Sequence, residues 1–329
     1  MTRIPAESVA GTSARPETGT SAEPVAGTSV EPVESTVAEL LANRGASSRL
    51  PLAEPEPLPG TAALDMRNLE ACDPVSGLRV PVRRYAPRDQ TSALPAVLYI
   101  HGGGWVIGSI DMVHFLVAPL AVKLDAVVIS VGYRLAPEHP FPAAFDDCLA
   151  VLRWMAAESA ELGIDPARIA LSGVSAGGTL ATGVALAVRD HGGPAIRLLH
   201  LVTPSLDDQA DTASMRRRWG PQHLSPRLAR ECWAAYLRDV AGNVPAVAAP
   251  ARADDLAGLP PTFIAVGELD AVRDEALLFA FRLIQAGVPV ELHHYPGATH
   301  GLGGDVGPGL RQRITETVPA ALREALFQA

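Results

Sequence analysis

Gly173-Val174-Ser175-Ala176-Gly177-Gly178 is the stretch on which the reading of this chain turns. Before it runs Arg168-Ile169-Ala170-Leu171-Ser172, a short apolar run with strand character. After it, Thr179 to Val188 is a run of small residues suited to a closely packed helix. A Gly-x-Ser-x-Gly turn between a strand and a helix holds its serine in a strained backbone conformation, with the hydroxyl at the apex of the turn. The glycines on either side are needed where a Cβ would collide with the neighbouring strand or helix. Alone, the pentapeptide is an ordinary Gly/Ser-rich turn, so its surroundings decide what it means.

Outward from this turn, strand-like and helix-like runs alternate. Strands are expected at Met66–Cys72, Arg79–Tyr85, Ala96–Ile100, Ala126–Val131, Ile169–Ser172, Leu198–Val202, Thr262–Val266 and Pro289–Tyr295. The later ones are continuous apolar runs separated by helix-length segments, as parallel strands buried on both faces require. The first two, joined by Asp73-Pro74-Val75-Ser76-Gly77, read as a hairpin at the sheet edge. Such an eight-stranded α/β sandwich places its ligands at the carboxyl ends of the strands. Residues 207–255 break the rhythm with polar runs, Trp219, Trp233 and Tyr236; an excursion of that length is usually functional. It reads as a helical lid, completed by residues 36–60, which hold a short helix at Val37–Leu41 and a Pro-rich stretch. Residues 1–35 repeat Gly-Thr-Ser among Pro, Glu and Ala and read as a disordered tail, leaving 36–329 as one domain.

Directly after the strand Ala96–Ile100 comes His101-Gly102-Gly103-Gly104-Trp105. Consecutive glycines let backbone amides approach a ligand, which is what an oxyanion needs. Gly103 and Gly104 would donate from one side and Ala176 from the other, at the start of a helix whose dipole favours an anion. His101 reads as a structural hydrogen-bonder shaping the loop. Ser175 needs a base, and the base an orienting acid, in the chain order Ser, Asp or Glu, His. His300 follows the last strand in a loop and is preferred over His293 and His294, which lie within the strand, and over His191 and His223. Asp270 follows the strand Thr262–Val266; Glu268 and Asp274 are rivals that also read as charges at the start of the helix Arg273–Gln285.

The chain has 329 residues, 48% of them hydrophobic, and a net charge of −9. The charge argues against nucleic acid as a partner, and Arg216-Arg217-Arg218 reads as a solvated face. Cys72, Cys148 and Cys232 have neither metal spacing nor a disulfide framework, which points to a reducing compartment. Met1 to Gly11 lack the apolar stretch of a signal peptide, and no run of about 18 apolar residues predicts a membrane span. A cytoplasmic protein is expected.

Four blocks together resemble the hormone-sensitive-lipase-like (bacterial family IV) carboxylesterases of the α/β-hydrolase fold. They are His101 to Trp105; Tyr133-Arg-Leu-Ala-Pro-Glu-His-Pro-Phe-Pro142; the Ser175 turn; and Asp270 with Arg273-Asp274-Glu275, paired with Gly297-Ala-Thr-His300-Gly301. The resemblance spans about residues 65–327. It implies an eight-stranded, mostly parallel sheet flanked by helices, with a helical cap. It also implies a catalytic set of Ser175, Asp270 and His300, an oxyanion hole of Gly103, Gly104 and Ala176, and a brace under the site from Tyr133–Pro142. Val174, Ala271 and Leu302 stand where the family commonly has Asp, Pro and Phe. The expected activity is hydrolysis of small to medium acyl esters, a small-molecule substrate class, with no metal and no cofactor. Amide cleavage, acyl transfer or lactone opening would use the same residues, and a non-catalytic ligand-binding relative shares the scaffold. Trp105, His114, Leu206, Trp219 and Leu302 are pocket candidates from their nearness to the motif loops. A homodimer is left open, and the Ala-, Arg- and Pro-rich usage fits a high-GC bacterial source.

Overall fold

The computed structural model describes residues 36–44, 58–220 and 222–328; the expected tail before residue 36 lies outside them. The described residues fall within one compact unit, Val33–Ala329. Its centre is an eight-stranded sheet in the order β1-β2-β4-β3-β5-β6-β7-β8. The strands are β1 (Leu64–Cys72), β2 (Arg79–Pro87), β3 (Leu94–Ile100), β4 (Val127–Val131), β5 (Ile164–Val174), β6 (Leu198–Val202), β7 (Thr262–Leu269) and β8 (Val290–Thr299). β1 pairs with β2 and β2 with β4 antiparallel; every other neighbouring pair is parallel. The expected edge hairpin is thus present, and all eight expected strands have counterparts. The main shift is at β5, which starts at Ile164 across an irregularity in its pairing with β3.

The helices are α1 (Val37–Asn43), α2 (Ile110–Leu124), α3 (Ala143–Ala157), α4 (Ser159–Leu162), α5 (Ala176–His191), α6 (Ala213–Arg216), α7 (Pro226–Tyr236), α8 (Arg273–Gln285) and α9 (Pro308–Phe327). Local chemistry sets their starts. Ser109 and Ser225 accept from the amides of Met112 and Leu228 to cap α2 and α7, and Pro226 opens α7. Thr36 and Glu39 form a reciprocal capping box on α1. The central strands β4 and β6 are buried at every position, because helices cover both faces. One core lies on the side of α3, α5 and α8, the other on the side of α2 and α9. The consequence for function is positional: His101, Ser175, Asp270 and His300 are each the first residue after a strand, those of β3, β5, β7 and β8.

Candidate active site

Ser175 has φ 54° and ψ −121°, a conformation L-residues avoid. It is held there from both sides. The Ser175 amide donates to Val202 O, and its carbonyl accepts from Gly178 and Ser205. A Cβ on Gly173 would run into the Gly177 carbonyl, and one on Gly177 into the Ile100 carbonyl. Glycine at these two positions is therefore a packing requirement of the turn.

His300 Nε2 lies 2.8 Å from Ser175 Oγ, and His300 Nδ1 lies 2.9 Å from Asp270 Oδ2. The Asp270 side chain has no exposure, and its other oxygen accepts from the Val272 amide at 3.1 Å. The loop carrying His300 is tied down where Gly301 N–H donates to Thr203 Oγ1 at 3.1 Å. Burial works against the imidazolium of His300, but the charge of Asp270 and its hydrogen bond outweigh that, so the pKa is raised above 6.5. With Nδ1–H donating to the carboxylate, Nε2 is left to accept from the serine hydroxyl.

The rivals for the acid have other duties. Asp274 accepts from the Ser214 amide at 2.7 Å and pairs with Arg273; Glu268 accepts from the Gly297 amide at 2.8 Å. Both fix loops and neither touches His300. His101 is buried, and burial depresses its pKa to about 4; it stacks on Tyr133 at 4.1 Å, whose hydroxyl donates to His101 O. It is thus a neutral ring inside the scaffold. In the same block, Arg134 grips Asp147, and the Ala136 amide donates to Trp105 O, so Tyr133–Pro142 props the glycine loop from below.

Gly103 and Gly104 have φ of 118° and 59°. They face Ser175 and His300 across a cavity of about 300 Å³. Among the described residues the amides of Gly103, Gly104 and Ala176 have no hydrogen-bond partner. The far wall of the cavity is apolar: Leu40 of α1, and Leu224, Leu228, Ala229 and Cys232 on or before α7. α1 is joined to α7 by the Val37 amide donating to Glu231, and Arg44 forms a forked pair with Glu138. Trp105 stacks on Tyr236 and packs on Trp233, bringing the glycine loop against α7. Among the described residues no group of three or more His, Cys, Asp or Glu could hold a metal ion.

Of the pocket candidates, only Trp105 lines this cavity. His114 is buried with its Nδ1 3.0 Å from the Tyr85 hydroxyl. Leu206 is fully buried in the core, its amide donating to Glu275 at 2.7 Å. Trp219 is half-buried against a separate small cluster with Met215 and Ala271, its Nε1–H donating to Ser214 O and Arg217 over its ring. Leu302 lines a neighbouring cavity instead. Nearness in sequence to a motif loop misled in these cases because a side chain's direction follows its own element. The missed lining residues Leu228, Ala229 and Cys232 had a signal: with Trp233 and Tyr236 they recur at spacings of three and four and give α7 an apolar stripe.

The chain is similar to known proteins over most of its length. Residues 97–303 match the model of an alpha/beta hydrolase fold family. The chain is 43% identical over 224 residues to esterase LipI of Mycobacterium tuberculosis, covering 67% of this chain and 68% of that protein. It is 40% identical over 233 residues to carboxylesterase NlhH of the same organism, covering 68% and 70%. Among solved structures, a bacterial heroin esterase superposes with a TM-score of 0.79 at 36% identity, covering 89% of this chain and 94% of that one. The chain belongs to the hormone-sensitive-lipase-like carboxylesterase family of the α/β-hydrolase fold. Among the described residues no helix is long and apolar enough to cross a membrane.

Proposed function

We propose that this chain is a serine carboxylic-ester hydrolase acting on small to medium acyl esters, with Ser175, His300 and Asp270 as its catalytic residues. The observation that carries the reading is the unbroken relay from Ser175 Oγ through His300 to buried Asp270, at 2.8 and 2.9 Å, opening on an apolar cavity. His300 Nε2 takes the Ser175 proton as Oγ attacks the ester carbonyl carbon. The tetrahedral oxyanion is met by the amides of Gly103, Gly104 and Ala176, the last at the start of α5. His300 then gives its proton to the departing alkoxide, leaving an acyl-serine. Water, deprotonated by the same imidazole, attacks that acyl group and releases the acid, restoring Ser175. Asp270 holds the tautomer and steadies the imidazolium. No step calls on a metal or cofactor. Of the expected cap segments 36–60 and 207–255, residues 45–57 and 221 lie outside the described residues; α1 and α7 supply the apolar wall that receives the substrate's chain, and a cavity of about 300 Å³ suits a short to medium one.

The test is a panel of p-nitrophenyl acyl esters, from acetate to long chains, with wild type and Ser175→Ala. Hydrolysis by wild type should fall by at least about 10⁴-fold in the variant. Undiminished hydrolysis by Ser175→Ala would sink the mechanism.

A further inference from the structure

A second cavity, of about 400 Å³, lies between α2 and α9 on the other face of the sheet. Beside buried Tyr99, Ser172 and His200, its lining includes Val174, next to Ser175, and Leu302, two residues past His300. These are two of the positions at which the chain departs from the family pattern, and both carry aliphatic side chains here. Val318 of α9 also lines it. At the rim stand Phe115 and Leu116, 61% and 49% exposed, large apolar groups that water covers at a cost.

One charge stands at this apolar opening. Lys123 is the single lysine among the chain's 27 Lys and Arg residues, and it lines the cavity. Its ammonium donates to Thr315 O at 3.3 Å, and among the described residues no carboxylate pairs with it. An ammonium on an aliphatic stem lays its methylenes on apolar surface and keeps its charge in water. Beside a largely apolar cavity, it matches a ligand built the same way, with an anionic head and an apolar tail.

We propose that the α2–α9 cavity binds an aliphatic carboxylate of medium chain length, its head group on Lys123 and its tail running inward toward Val174 and Leu302. The choice of acid rests on the ester-hydrolase reading, because hydrolysis releases a carboxylic acid beside this cavity. Through Leu302 and Gly301 the tail would abut the loop that carries His300, so the bound acid is placed to bear on the same site from behind.

Isothermal titration of Ser175→Ala protein with sodium decanoate tests this without turnover, so its outcome is separate from that of the ester assay. Saturable binding is expected, tightening about fourfold per methylene from hexanoate to decanoate, as burial of each CH₂ implies. Lys123→Ala should weaken decanoate about fivefold, the scale of an exposed ion pair, and leave decanol unchanged. Val318→Phe, which fills the cavity, should abolish binding, while Leu228→Trp, which fills the cap cavity, should not. Lys123 is exposed, so its variant keeps the test readable if Val318→Phe does not fold. No saturable binding of decanoate overturns the proposal. So does binding indifferent to Lys123→Ala, or binding lost in Leu228→Trp but kept in Val318→Phe.

Discussion

Beneath Ser175 the chain is fixed by its own backbone, whereas the far wall of the cavity is built from side chains. The floor is four strand ends, each followed at once by His101, Ser175, Asp270 or His300. There, amide-to-carbonyl bonds and two crowded glycines leave little freedom. The wall is α1 and α7, held mostly through side chains: the Glu231 carboxylate, the Arg44–Glu138 pair, Arg230 on two carbonyls and the Trp105, Trp233 and Tyr236 rings, with the Phe141 amide to Tyr236 O as a backbone tie. The difference suits the two tasks. Chemistry needs reacting atoms held within a few tenths of an ångström, while selection of a chain needs only apolar surface of roughly the right shape.

Substitutions can break or sharpen this contrast. The largest effect belongs to the floor. Asp270→Asn should cost about 10⁴-fold in kcat, by removing the acceptor that fixes the His300 tautomer, while Asp274→Asn should change it only a few-fold. The reverse ranking would overturn the assignment. Because Asp270 raises the His300 pKa, the acid limb of the wild-type kcat/KM profile should have its midpoint above pH 6.5. The residual activity of Asp270→Asn should lose that limb toward lower pH, since burial alone then acts on the ring. Next comes the wall. Leu228→Ala should raise KM for a p-nitrophenyl hexanoate about tenfold and leave kcat almost unchanged, the mark of uniform binding. A matching fall in kcat would mean that the wall also positions the reacting carbonyl.

The smallest effect tests what lies under the floor. Glu275 is buried, one oxygen accepting from Leu206 and the other unpartnered, and burial pushes its pKa well above the usual range. A carboxyl whose folded pKa is raised contributes stability that is complete below its unfolded value of about 4.3 and lost as pH rises through the folded one. Glu275→Gln keeps an acceptor for Leu206 and cannot ionise. Its melting temperature should therefore exceed that of wild type by a few degrees at pH 9, with the gap closing toward pH 4. Parallel melting curves across that range would show that Glu275 does not titrate on unfolding.

The same contrast explains what could be read in advance. The central strands are short runs dominated by Val, Ile and Leu, broken in β4 and β6 only by Ser130 and His200, and the strand-end position of each motif follows from them. Val127–Val131 and Leu198–Val202 were legible for that reason. The wall depended on direction rather than position. Trp219 and His114 are near the motif loops, yet one is tied to Ser214 O against the Met215 cluster and the other to the Tyr85 hydroxyl. Neither direction follows from a repeating pattern: Trp219 bonds a backbone carbonyl five residues back, and His114 meets a hydroxyl from strand β2. Leu40 reaches the cavity from a seven-residue helix whose place depends on Glu231, nearly two hundred residues away.

The left-handed backbone of Ser175 has a consequence for how the chain can change. A non-glycine residue held in such a region costs on the order of 1–3 kcal/mol, and glycine there would relieve it. At this position, then, the most stable sequence and the working sequence differ. Drift judged by folding alone would favour replacing the serine, and under the proposed ester-hydrolase reading its hydroxyl is what offsets that cost.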